Sequence, residues 1–180
     1  MTDFAACVAE IVALNEGCLR GKTRLQKSAY FLEAHQLGYG FEFEYHYYGP
    51  YSEDVAVAVE DARVRSLIDI ERRLTSKGDA YSVFKLAQGF AENEIKCREE
   101  RTKLLHVLSS YSTVTIELAA TADFLMSKGE NEAWAETKLR KTSKATPERI
   151  DSAKQLLQRL ALEFPPKRQA PAAPLKTRRL

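Results

Sequence analysis

Between Gly17 and Thr23 the chain reads Gly-Cys-Leu-Arg-Gly-Lys-Thr, one residue short of a phosphate-binding loop. Such a loop needs four residues between its glycines so that successive backbone N–H groups curl around a phosphate. Here there are three, Cys18, Leu19 and Arg20, and the segment follows a helical pattern rather than a strand. It is read as a connection between helices. His35, His46 and His106 are scattered, and no Cys or His pair has ligand spacing, so neither a metal nor a cofactor is expected. Ser28 and Ser52 lie in no Gly-x-Ser-x-Gly turn and beside no evident His partner, which gives no nucleophile. Glu42 and Glu44 fall on the wet face of an alternating strand, and Glu53 and Asp54 complement the start of a helix. No catalytic residue is assigned, and the chain is read as non-enzymatic.

What remains distinctive is a pair of segments. The first is Gly21-Lys22-Thr-Arg24-Leu25-Gln26-Lys27-Ser-Ala-Tyr30-Phe-Leu32, and the second is Tyr45-His-Tyr-Tyr48-Gly49-Pro50-Tyr51-Ser52. Leu25 and Tyr30 belong to the buried face of a helix. Gln26 and Lys27 sit at its edge, within reach of backbone carbonyls of the Tyr48–Tyr51 turn. Gly49-Pro50 fixes an abrupt reversal and Ser52 caps the next helix. Leu25, Gln26, Tyr30, Gly49, Pro50 and Ser52 are therefore structural. Lys22, Arg24, Lys27, Tyr48 and Tyr51 are the candidates for contact with a partner.

These residues are carried by a readable order of elements. Phe4, Val8, Ile11 and Val12 mark a helix over 3–16 by their spacing, and a second helix spans 23–36 until Gly38 and Gly40 stop it. Aromatics alternate from Phe41 to Tyr47, the period of a half-buried strand. A third helix runs from Ser52 to Arg65. Residues 67–74 and 80–86 form a β-hairpin around Thr75-Ser-Lys-Gly-Asp79. Helices follow over 91–109, with Ile95 in its apolar set and Glu92–Lys103 as a solvated charged face, then over 113–127 and 132–138. A last helix opens at Thr146-Pro147-Glu148 and runs to about 163, since a capping hydroxyl followed by proline is a start signal.

Helix, helix, strand, helix and hairpin is the element sequence of a winged helix-turn-helix. The expected class is α+β, mostly α: a winged-helix-like core over 1–90, a helical extension packed on it over 91–163, and a tail over 165–180. Four of the six prolines lie in that tail, together with Lys167, Arg168, Lys176, Arg178 and Arg179 and no acid. It is read as disordered. The net charge of +2 thus hides a folded part at −3. No apolar run approaches the roughly 18 residues a bilayer span needs. The N-terminus lacks a basic leader, and three widely spaced cysteines fit reduced thiols, so a cytoplasmic location is expected.

The two distinctive segments resemble the signature of the bacterial and archaeal YwgA-like proteins. More distantly they resemble the SocA/Panacea antitoxin domain, which shares a Leu-Gln-Lys helix and a Tyr-Gly-Pro turn. The resemblance continues in Tyr111-Ser112, Glu117-Leu118, Ala122, Trp134 and the helix from Lys144 to Leu160. It implies a toxin-neutralising or phage- or defence-associated accessory role, with a partner protein encoded nearby.

The alternative is a winged-helix DNA-binding transcriptional regulator. In that geometry the helix after the turn enters the major groove. Here it begins Ser52-Glu-Asp-Val-Ala-Val-Ala-Val, with no Arg, Lys, Asn or Gln to donate to bases. Arg72, Arg73 and Lys77 on the hairpin are the candidates for phosphate contact. The sequence thus favours a protein-interaction module that masks a partner over a reader of DNA.

Overall fold

The structure is a computed structural model that describes residues 2–88 and 97–165. Its first helix, α1 (Phe4–Leu14), starts where Asp3 accepts from the Ala6 N–H at 3.2 Å. It ends two residues before the expected point because Glu16 and Gly17 both take positive φ, 58° and 73°, and turn the chain back. The next three residues form a strand, β1 (Cys18–Arg20), where the sequence reading has only a connection. Three residues carry no periodicity, so β1 exists through its pairing and not through its own pattern. The glycine-lysine-threonine segment therefore does follow a strand, although it remains one residue short of a phosphate loop.

Helix α2 (Lys22–Ala34) closes at Gln36, whose φ is +60°, with the Leu37 N–H donating to the Leu32 carbonyl at 2.9 Å. This left-handed closure at a non-glycine residue, and not Gly38 or Gly40, stops the helix. The strand expected over 41–47 is regular only at β2 (Glu44–His46), paired antiparallel with β3 (Gly49–Tyr51). Its first part is diverted because Glu33 Oε1 accepts from the N–H groups of Tyr39, Gly40 and Phe41 at 2.7, 2.9 and 3.0 Å. Donors given to a carboxylate are lost to a ladder. The alternation survives nonetheless: Phe41 is buried and Phe43 and Tyr45 half-buried between exposed Glu42 and Glu44.

Ser52 caps α3 (Glu53–Val64), its hydroxyl accepting from the Val55 N–H at 3.3 Å. The hairpin β4 (Ile68–Leu74) and β5 (Ala80–Leu86) follows, in register from Ile68↔Leu86 to Leu74↔Ala80, and β1 joins its β5 edge to give the order β1-β5-β4. The remaining helices are α4 (Arg98–Ser109), α5 (Thr113–Ser127), α6 (Ala133–Arg140) and α7 (Pro147–Glu163), the last capped by Thr146. Among the described residues the fold is α+β and mostly helical. The beginning of the helix expected from 91, with Ile95, and the tail beyond Pro165 lie outside those residues. No helix of the described residues is long and apolar enough to cross a membrane.

A single hydrophobic cluster runs from Ala5 through Phe31, Phe84, Leu118 and Leu156 to Leu160. Helix α5 lies inside it, against α2, α7 and β3, which is why Ile116, Leu118, Ala119 and Ala120 have no exposed surface. Helix α4 is less of a solvated face than its composition predicts. Its Arg101 turns inward, donating to the carbonyls of Leu37 at 2.7 Å and Gly38 at 3.0 Å and to Glu10 at 2.7 Å. The carbonyls beyond the end of α2 need donors, and a planar guanidinium supplies several at once.

One shared core has a measurable consequence. Leu156→Ala in α7 is expected to cost about 2–5 kcal/mol. Far-UV circular dichroism and Trp134 fluorescence are expected to report the same lowered transition. Two separated transitions would show the helical part unfolding on its own.

Candidate functional site

The hairpin of β2 and β3 has only three residue pairs, Glu44↔Tyr51, Tyr45↔Pro50 and His46↔Gly49, with Tyr47-Tyr48 at its tip. A ribbon this short does not hold itself together in water. Gly49 sits at φ +81° against α5, where an added Cβ would meet Thr121 Oγ1 at 2.4 Å. Only glycine fits both the conformation and the approach. Pro50 brings no N–H to the ladder.

Side chains from two other segments hold the hairpin instead. From α2, Gln26 makes a two-point clamp on Ser52, donating to its carbonyl at 2.8 Å and accepting from its N–H at 3.0 Å. Lys27 Nζ donates to the Pro50 carbonyl at 2.5 Å. From the end of α6, Lys141 Nζ donates to the Tyr47 carbonyl. Lys141 also meets Glu117 of α5 at 3.1 Å, and Lys144 meets the same carboxylate at 2.8 Å. Lys27 is 1% exposed and Glu117 2%, so this is a buried cluster with more lysines than carboxylates. Burial pushes the Lys27 amine down to about 7; Lys141 and Lys144 push the same way and Glu117 opposes them. Burial also lowers Lys141.

The structure divides the five residues expected to meet a partner. Lys27 is enclosed. Arg24 is spent on the end of α4, donating to Leu108 at 3.2 Å and Tyr111 at 2.7 Å. Neither offers its charge to a partner, because each is occupied by backbone carbonyls. Lys22 and Tyr51 line a small cavity of about 110 Å³ with Val55 and Val59. Tyr48 alone of the five is at the hairpin tip. The structural set is placed as the motif reading has it: Leu25 and Tyr30 are buried, and the Tyr30 hydroxyl donates to Asp123 at 2.7 Å.

The tip itself is aromatic and rimmed by cations. Tyr47 is 79% exposed and Tyr48 50%, their rings edge to face at 5.0 Å. Lys141 Nζ lies 5.7 Å from both rings and Lys144 Nζ 4.9 Å from Tyr48. Arg140 stacks 4.4 Å over Tyr45, and Leu139 beside it is exposed. Sequence reasoning missed Tyr47, Glu117, Lys141 and Lys144 as one group. A glutamate inside the apolar run Thr115-Ile-Glu-Leu-Ala-Ala-Thr was the available signal, because a buried carboxylate demands a cation.

Of the phosphate candidates, Arg73 is bonded to Glu71 at 2.6 Å and Lys77 is exposed at the hairpin turn. Arg72 lines a groove beside Lys22. No protein-family model matches the chain, and no curated protein matches it.

The depressed Lys27 amine makes stability depend on pH. Below pH 7 both folded and unfolded chains hold the proton. Between about 7 and the unbound value of 10.5 the unfolded chain keeps a proton that the folded chain has released, so stability rises with pH across this window. Denaturant titrations at pH 7 and pH 9 are expected to show a gain on the order of 2 kcal/mol that is missing from Lys27→Met. An equal gain in both proteins would mean that Lys27 stays charged inside the fold.

Proposed function

We propose that this chain is a non-enzymatic protein-interaction module that docks the Tyr47–Tyr48 tip on a partner protein and masks it. The observation that carries the reading is an exposed tyrosine pair on a hairpin whose backbone is already fixed by Gln26, Lys27 and Lys141. Tyrosine supplies large contact area with few torsions to order, and aromatic anchors dominate interface energetics. A tip held before binding avoids much of the ordering cost of association. The cations behind it are already paired, Lys141 and Lys144 with Glu117 and Arg140 with Glu136, so the tip offers a partner aromatic surface more than charge.

The order α1, β1, α2, α3, β4, β5 with strands β1-β5-β4 supports a winged-helix-like core for residues 1–90. The exposed side of α3 presents Glu53, Asp54, Val57, Glu60, Asp61 and Val64, with Arg63 in the last turn paired to Glu60; its N-terminal half would repel phosphates and donates nothing to base edges. That favours a protein over a DNA sequence as the specific partner. The resemblance to YwgA-like and SocA/Panacea proteins supplies the setting, a cytoplasmic antitoxin or a phage- or defence-associated accessory protein whose partner is encoded nearby.

The product of an adjacent toxin-like gene, titrated against the full chain, is expected to bind. Tyr47→Ala/Tyr48→Ala is expected to weaken that binding by at least about tenfold, a loss of about 1.4 kcal/mol or more. The melting temperature should hold, since both rings are exposed. Unchanged affinity in the double variant would remove the tip from the interface.

A further inference from the structure

We propose that a second site, the groove between the start of α2 and the β4–β5 hairpin, binds the phosphodiester backbone of a nucleic acid without reading its sequence. The groove has a volume of about 1010 Å³ and is lined by Arg20 and Lys22 on the β1–α2 side and by Arg72 on the hairpin side. No carboxylate of the described residues lines it. None of these three cations makes an ion pair or side-chain hydrogen bond within the described residues.

The contrast lies within one hairpin. Ile70, Arg72 and Leu74 alternate onto one face of β4, and the register sets Ser82 opposite Arg72 and Ala80 opposite Leu74. These small partners leave the floor open. On the alternate positions Asp69 and Glu71 stand against Arg73 and Lys85, and Glu71 bonds both cations. One hairpin face is thus balanced internally, while Arg72 stands on the other with no acid beside it and is joined at the groove by Lys22 and by Arg20 of the edge strand β1, in a chain whose residues 1–164 sum to −3. Cations held together with no counter-charge repel one another, and a polyanion relieves that repulsion by neutralising them and releasing its own counterions.

The remaining lining fits the same ligand. Thr23, Thr75, Ser76, Ser82 and Thr113 add hydroxyl donors of the kind that meet phosphate oxygens. Among the described residues no Asn or Gln lines the groove, so they offer no side chain for paired hydrogen bonds to adenine edges. Cations spread along an open groove of this volume suit a chain of phosphates better than a single one.

The test uses the full chain, with anisotropy of a labelled single strand of roughly 20 nucleotides and of the matching duplex, between about 50 and 200 mM salt. Salt-dependent binding is expected. Arg20→Ala/Arg72→Ala should weaken it by at least about tenfold and reduce the salt slope by about one per cation removed, with an unchanged melting temperature. A full-length variant with the five tail cations Lys167, Arg168, Lys176, Arg178 and Arg179 replaced by alanine should retain the part that depends on the groove. Preference for strand or duplex identifies which backbone the groove takes, and either supports the proposal. Three results would overturn it: no binding of either probe, binding insensitive to the groove substitutions, or equal displacement by polyglutamate, which would assign the groove to acidic proteins. Tyr47 and Tyr48 are unaltered throughout, so failure here leaves the partner-docking reading where it stands.

Discussion

Three backbone carbonyls, those of Tyr47, Pro50 and Ser52, set the terms for the region around the hairpin. A ribbon of two three-residue strands has no third strand to satisfy the first two, the Ser52 carbonyl has only the Ala56 N–H at 3.3 Å, and a carbonyl shut away from water without a donor costs about 1–3 kcal/mol. The chain answers with Lys141, Lys27 and Gln26. Burying lysine amines is itself unfavourable, and that is what draws Glu117 into the buried middle of α5. One need therefore ties together α2, the hairpin, α5 and the end of α6. Residues far apart in the sequence become a single unit because none of them is stable there alone.

The same device recurs between α2 and α4. Arg24 of α2 donates to carbonyls at the end of α4, while Arg101 of α4 donates to carbonyls just past the end of α2. Each helix caps the other with a long cation. Both guanidiniums are used up by backbone, so they hold the architecture and recognise nothing outside it. A cation in a recognisable motif is thus a poor guide to a binding surface until its hydrogen bonds are accounted for. Here the accounting removes Lys27 and Arg24 from the surface and leaves Arg20, Lys22 and Arg72.

Much of this fold was legible in the residues because its elements begin with strong local chemistry. Ser52, Ser112 and Thr146 each cap a helix with a side-chain oxygen, and the β4–β5 hairpin alternates across a polar turn. What escaped was whatever depends on distant partners. Three-residue β1 is a strand only because β5 pairs with it. Phe41 to Phe43 alternate like a strand, yet they are withheld from the ladder by Glu33, a residue in the preceding helix. Glu117 and Lys141 were not visible as a pair, because nothing in either neighbourhood points at the other. The motif's own geometry was readable for the opposite reason: α2 and the Tyr48–Ser52 turn follow one another in the chain and pack together, so Gln26 and Lys27 have few other carbonyls within reach.

Charge is distributed so that the folded part can be acidic and still have basic sites. The exposed side of α3 carries Glu53, Asp54, Glu60 and Asp61, whereas the hairpin tip is rimmed by Arg140, Lys141 and Lys144 and the groove by Arg20, Lys22 and Arg72. A uniform mixture would let each cation pair with a neighbour, as Arg63 does with Glu60 and Arg159 with Glu163. Such pairs contribute little to stability and present no net field. Segregation leaves a field at two places, and the difference between them lies in what accompanies it. At the tip the cations flank exposed tyrosines and all three are already paired, Lys141 and Lys144 with Glu117 and Arg140 with Glu136, so affinity there must come from aromatic contact. In the groove the cations are uncommitted and the walls carry hydroxyls, so attraction there must be chiefly electrostatic and must weaken as salt rises.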